Sequence, residues 1–111
     1  MSNIESGDYL YLLDNGTAMI SGYRGTEERL SIPSVLDGYP VSAIEAFSFS
    51  ECSTIKDVII PEGIVTIGIN AFEQCTALVG VSFPKSLKSI EDSAFAGCSV
   101  QTPSLRLISD F

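Results

Sequence analysis

The sequence predicts a β-rich repeat solenoid, and three observations lead to that fold class. Cys52, Cys75 and Cys98 are spaced by 23 residues, as are Phe49, Phe72 and Phe95, and as are Ile44, Ile67 and Ile90. Residues 60–75 laid over residues 83–98 share five identities in 16 positions, where composition alone gives about one. Each unit also carries a short alternation closed by proline: Leu30-Ser31-Ile32-Pro33, Val58-Ile59-Ile60-Pro61 and Val81-Ser82-Phe83-Pro84. Period-two alternation ended by proline is strand chemistry, because every second side chain points inward and the missing N–H stops the ladder.

Taken in chain order, the first element is a hairpin. Residues 8–13 and 17–23 are rich in Tyr, Leu, Ile and Thr and flank Asp14-Asn15-Gly16, a turn signal because Asn-Gly accepts positive φ. The open end of a stack exposes apolar side chains and strand edges, so terminal units depart from the repeat. Residues 8–29 are therefore predicted to be an N-terminal cap hairpin with its lead-in. About three repeats of 23 residues follow over 30–98, the first with a five-residue insertion. In the first, Pro33 precedes Ile44 by 11 residues, where Pro61 and Pro84 precede their isoleucines by six. The five extra residues fall within Val35-Leu36-Asp37-Gly38-Tyr39-Pro40, where Asp-Gly and Pro40 supply turn chemistry.

A period between 20 and 29 with apolar residues at fixed offsets is the physical pattern of a leucine-rich-repeat coil, in which no unit buries its own apolar face and neighbours must stack. Ile55, Val58, Ile60, Ile64, Ile67, Phe72 and Cys75 take the inward positions of one coil. Leu78, Val81, Phe83, Leu87, Ile90, Phe95 and Cys98 take them in the next. The expected architecture is a right-handed superhelix forming a curved slab. A parallel sheet of short strands runs along one side, and segments such as Gly68-Ile69-Asn70-Ala71 return along the other as 3₁₀-like turns. Residues 99–111 leave the pattern, with Gln101 at an apolar position and Leu105 and Leu107 one place late, and are read as an irregular C-terminal end. Residues 1–111 are read as a single domain.

The string Ile-Pro, Asp-Gly-Tyr-Pro-Val-Ser-Ala-Ile over 32–44, followed twice by Ile-Pro or Phe-Pro, Ile, Ala-Phe and Cys at fixed spacing, resembles the BspA-like (Treponema-type) leucine-rich-repeat family. Asp14-Asn15-Gly16-Thr17-Ala18-Met19-Ile20-Ser21-Gly22-Tyr23-Arg24-Gly25 is similar to the lead-in that often precedes its first repeat. The resemblance covers about residues 8–98. It implies a surface or secreted bacterial protein with a role in adhesion or ligand binding.

Composition narrows the function classes. Hydrophobic residues make up 45% and charged ones 18%, a globular balance, and no apolar run approaches the ~18 residues of a membrane helix. Fourteen acidic against six basic residues give a net charge of −8, which disfavours nucleic acid and anionic membranes. There is no histidine, so the commonest general base and zinc ligand are missing together. The first eight residues have neither a basic start nor an apolar stretch, so no export signal is read from them. A cytoplasmic location stands as the alternative to the surface location implied by the resemblance.

Several residues invite chemistry and have plainer readings. The cysteines occupy inward repeat positions, where a small apolar thiol packs well, and are expected to be free: a bond between coils about 4.8 Å apart would strain the turns that hold them. Glu45 and Glu91 are equivalent positions with Gly68 between them, hence roughly 10 Å apart and part of a solvated face. Asn15-Gly16-Thr17 fits a glycosylation acceptor, but the same residues make the turn. Gly22-Tyr23-Arg24-Gly25 has the spacing of no phosphate-binding loop, and the serines have no activating base. No catalytic residue, metal or cofactor is expected.

What remains is binding. Outward positions on stacked strands form the regular open surface that solenoids use. They are Arg29, Ser31, Asp57, Ile59, Gly80 and Ser82, and a protein or other macromolecule is the expected ligand. The alternative is a self-associating structural unit, a homodimer closed through the C-terminal end around residues 105–108, whose unpaired edge invites pairing.

Overall fold

The computed structural model describes residues 2–100. Three strands open the chain: β1 (Ile4–Ser6), β2 (Tyr9–Asp14) and β3 (Thr17–Tyr23) form an antiparallel meander. The predicted hairpin is β2–β3, and its turn holds Asn15 at φ 51° and Gly16 at φ 79°, two successive positive-φ residues as a type I′ turn requires. β1 lay outside the predicted hairpin.

Three coils follow, and each gives a strand to both of two sheets. The first coil contributes β4 (Arg29–Ser31), β5 (Val35–Leu36) and β6 (Tyr39–Ile44). The second contributes β7 (Asp57–Ile59) and β8 (Thr66–Ile67), and the third β9 (Gly80–Ser82) and β10 (Ser89–Ile90). β4-β7-β9 form the predicted parallel sheet. β6, β8 and β10 form a second parallel ladder on the other side of each coil. The N-terminal meander joins this second ladder through the parallel pair β3–β6. β5 folds back on the start of β6 around Asp37 (φ 51°) and Gly38 (φ 87°), so the predicted insertion is a tight hairpin.

The return segments carry the i→i+3 bonds expected of 3₁₀-like turns, but only at every second residue. The N–H groups of Ser48, Ser50 and Cys52 donate to Glu45, Phe47 and Phe49, while those of Phe47, Phe49 and Glu51 donate to Ile69, Ala71 and Glu73 in the next coil. Half the donors close local turns and half bind the neighbouring coil, so no continuous 3₁₀ helix develops. The alternation requires left-handed residues, and they recur at the repeat period: Phe47, Asn70 and Ser93 at φ 62°, 55° and 59°, then Glu51, Gln74 and Gly97 at φ 62°, 59° and 78°.

Between the ladders lies a continuous apolar core. All seven inward residues assigned to the second coil are buried. In the third, Leu78, Leu87 and Phe95 are buried and Val81, Phe83, Ile90 and Cys98 half-buried. Phe49, Phe72 and Phe95 stack as a column with centroids 4.8 and 5.2 Å apart and planes within 6° and 2°, a separation equal to the strand spacing that generates it. The irregular end begins with Ser99, still held by Leu78 and Thr76. The expectations for 101–111, including closure of a homodimer around 105–108, lie outside the described residues.

Candidate interaction face

β4, β7 and β9 bring all six predicted surface positions together. Register pairs Arg29 with Asp57 and Asp57 with Gly80, and likewise Ser31 with Ile59 and Ile59 with Ser82. The face therefore has two straight rows, each spanning about 10 Å across three strands. Between these positions the intervening side chains Leu30, Val58 and Val81 point into the core, which fixes the outward direction of their neighbours.

The first row is electrostatic. Arg29 Nε lies 3.9 Å from an Asp57 carboxylate oxygen, and beside it Lys56 Nζ lies 3.4 Å from Glu28 Oε1. Both pairs are well exposed, worth about 0–1 kcal/mol each, and cancel charge locally although the chain as a whole is at −8. The Asp57 carboxylate leans over Gly80, occupying the place a Cβ there would take. In the second row Ile59, 54% exposed, stands between the hydroxyls of Ser31 and Ser82. A shallow groove of about 230 Å³ is lined by Arg29, Leu30, Ser31, Asp57 and Ile59. An apolar anchor flanked by hydroxyls and compensated charges suits shape-selective contact, and among the described residues neither serine is hydrogen-bonded to a base.

The other singled-out residues fall elsewhere. Glu45 and Glu91 lie on the return side, separated by the coil that carries Gly68. A Cβ on Gly68 would come within 2.7 Å of the Ala46 nitrogen, so close approach of two backbones demands glycine there. The cysteines form an inward ladder and are free. The Cys75 and Cys98 thiols donate to the carbonyls of Phe49 and Phe72, each at 3.0 Å. The flanking Cys52 and Cys98 thiols raise the pKa of Cys75, and Cys75 in turn lowers theirs. Among the described residues no group of three or more Cys, Asp or Glu is arranged to hold a metal ion.

One exposed patch was missed. Phe47 and Ile69, 54% and 50% exposed, sit side by side on the return segments, where the Phe47 N–H donates to the Ile69 carbonyl at 3.1 Å. The signal was present as a break in type, since the equivalents of Phe47 are Asn70 and Ser93 and those of Ile69 are Ala46 and Asp92.

Comparison with known proteins agrees with this geometry. The family described as BspA type leucine rich repeat region (6 copies) matches residues 40–109. A leucine-rich-repeat protein of T. pallidum superposes with a TM-score of 0.82 at 28% identity, over 89% of this chain and 48% of its own. One from Bacteroides ovatus gives 0.68 at 27%, over 86% of this chain and 33% of its own. One from Bacteroides capillosus gives 0.70 at 22%, over 92% and 96%, a likeness of fold. This chain thus spans about half the length of the T. pallidum protein. No curated protein matches it. With two ladders, a 23-residue period and a family match over more than half its length, the chain belongs to the BspA-type leucine-rich-repeat family.

Proposed function

We propose that this chain is a protein-binding repeat module that engages its partner through the outward face of β4, β7 and β9, and that it works at a bacterial cell surface or outside the cell as an adhesion or ligand-binding protein. The supporting observation is the register that aligns Arg29, Asp57 and Gly80 beside Ser31, Ile59 and Ser82 on a rigid parallel sheet. Side chains held in rows by a stacked backbone lose little entropy on binding. Ile59 is the apolar anchor of that face, and the ion-paired row sets polarity around it.

The surface location rests on family membership and is tested separately. Protease treatment of intact cells that produce the protein is expected to degrade it, and protection until lysis contradicts the reading. For the face, replacing Asp57→Lys together with Ser82→Lys puts two uncompensated cations on it. Capture of the partner from host-derived surface material by the immobilised chain is expected to fall at least tenfold. Unchanged capture removes this face from the binding surface.

A further inference from the structure

We propose that the outer edge of β4 accepts one extended, positively charged peptide segment as an added strand, widening the three-stranded sheet to four. The inference rests on the protein-binding reading but uses the backbone edge rather than the side-chain face. Asp57 N–H donates to the Glu28 carbonyl and Ile32 N–H to the Ile59 carbonyl. In a parallel pair the bonding residue of one strand uses both its groups on the same side, so Glu28, Leu30 and Ile32 spend theirs on β7. The N–H and C=O groups of Arg29 and Ser31 therefore point away from β7. Among the described residues no strand lies on that side, because β4 ends its sheet.

The cap explains why this edge is open. It supplies the second ladder with β3, β2 and β1 beyond β6 but gives the first ladder nothing beyond β4, so one sheet overhangs the other by three strands, about 14 Å. That overhang also selects the occupant. A second copy pairing β4 to β4 around a twofold axis would place both overhanging meanders on the same side of the joined sheet, each in the volume of the other's β6 ladder. A single extended segment needs only one strand's width. Two donors and two acceptors, from Arg29 and Ser31, await it, which is the arrangement used when a peptide augments a sheet edge.

Charge gives the segment its sign. Of the basic residues on the segment leading into β4, on β4 itself and beside its partner strand, Arg24 is paired with Glu5 at 2.6 Å, Arg29 with Asp57 and Lys56 with Glu28. Asp8 and Glu27 have no cation within ion-pair distance among the described residues. Both are exposed, and Glu27 stands two residues before β4. An incoming strand with lysine or arginine at alternate positions meets this acidic margin.

The test is an amide-resolved titration of the isotopically labelled chain with an acetylated heptapeptide alternating lysine and valine. Saturable binding is expected, with the Arg29 and Ser31 amides changing from fast to protected exchange. Ser31→Pro removes an N–H that has no hydrogen-bond acceptor among the described residues and is expected to weaken the peptide at least tenfold. Glu27→Lys, on an exposed loop, is expected to weaken it several-fold and more strongly at low salt. Phe47→Asn, on the return side, is expected to leave affinity unchanged. No saturable binding, protection centred away from Arg29 and Ser31, or full affinity in Glu27→Lys overturns the proposal. If Ser31→Pro does not fold, the exchange pattern and Glu27→Lys decide. Failure of the face variants Asp57→Lys and Ser82→Lys against the surface partner leaves these amide readouts untouched, so the two readings fail separately.

Discussion

The Tyr11 hydroxyl donates a 2.8 Å hydrogen bond to the carboxylate of Asp37, 26 residues further along the chain, and Ser6 donates to the other carboxylate oxygen at 2.9 Å. Asp37 sits at positive φ at the tip of the β5–β6 hairpin, so the insertion in the first coil clasps the cap. Loss of the hydroxyl in Tyr11→Phe leaves this carboxylate oxygen without its protein donor. A thermal midpoint lower by a few degrees is expected, with the cap strands losing exchange protection first.

The same contact gives an alkaline signature. The hydrogen bond to Asp37 and then burial hold the Tyr11 phenol up at about 12 against an ordinary 10.0. Burial, with Tyr23 beside it, raises Tyr9, and burial raises Tyr23. Tyrosine is neutral when protonated, so a folded pKa above the unfolded one gives stability that is complete below pH 10 and lost as pH rises through the folded value. The thermal midpoint is expected to fall between pH 10 and 12, tracked by tyrosinate absorbance. A steep loss below pH 9 would contradict this.

Two glycines on stacked coils are expected to respond differently to the same methyl group. At Gly68 a Cβ meets the backbone of Ala46, Glu45 and Ile44 at 2.7, 2.9 and 3.0 Å, and backbone cannot step aside. Gly68→Ala is expected to cost about 2–3 kcal/mol, measured by urea denaturation. At Gly80 the Cβ meets only the side chain of half-exposed Asp57, whose carboxylate can rotate, so Gly80→Ala is expected to stay within about 1 kcal/mol.

Phe47 holds a left-handed backbone at φ 62° with its ring 54% exposed. A non-glycine residue there costs roughly 1–2 kcal/mol, least for asparagine, whose side chain hydrogen-bonds locally. The equivalent position in the next coil is Asn70. Phe47→Asn is therefore expected to stabilise the fold by about 0.5–1 kcal/mol, read as a raised denaturation midpoint with an unchanged slope.

Thiol labelling follows the ladder order. Cys75 is buried between coils with its pKa raised by its two neighbours, while Cys52 and Cys98 are half-buried with theirs lowered by Cys75. The thiolate is the reacting form. At mildly alkaline pH, mass spectrometry is expected to find Cys52 and Cys98 alkylated before Cys75. Early labelling of Cys75 would show that the coils open.

The parts of this fold legible in the sequence are those where stacking dictates residue type. Phe72, Cys75 and Ile67 recur because each must lie on its equivalent one coil away, and the outward positions of β4, β7 and β9 followed from alternation against Leu30, Val58 and Val81. The second ladder was hidden because β8 and β10 are two residues each, too short for alternation to register. The left-handed ladder was hidden because Phe47, Glu51, Gln74 and Ser93 occupy positions where glycine would have announced it. β1 was hidden because Ile4-Glu5-Ser6 acquires strand character only by pairing with β2. The lean of Asp57 over Gly80 depends on side-chain direction across coils, which spacing alone does not carry.

The most direct measurement is photo-crosslinking from two single positions, with a benzophenone side chain placed at Ile59 on the strand face or at Ile69 on the return side, in the presence of host-derived surface protein. A discrete crosslinked adduct is expected from position 59, lost on adding unlabelled chain in excess, and none from position 69. An adduct from position 69 with none from position 59 would contradict this and move the binding surface to the Phe47–Ile69 side.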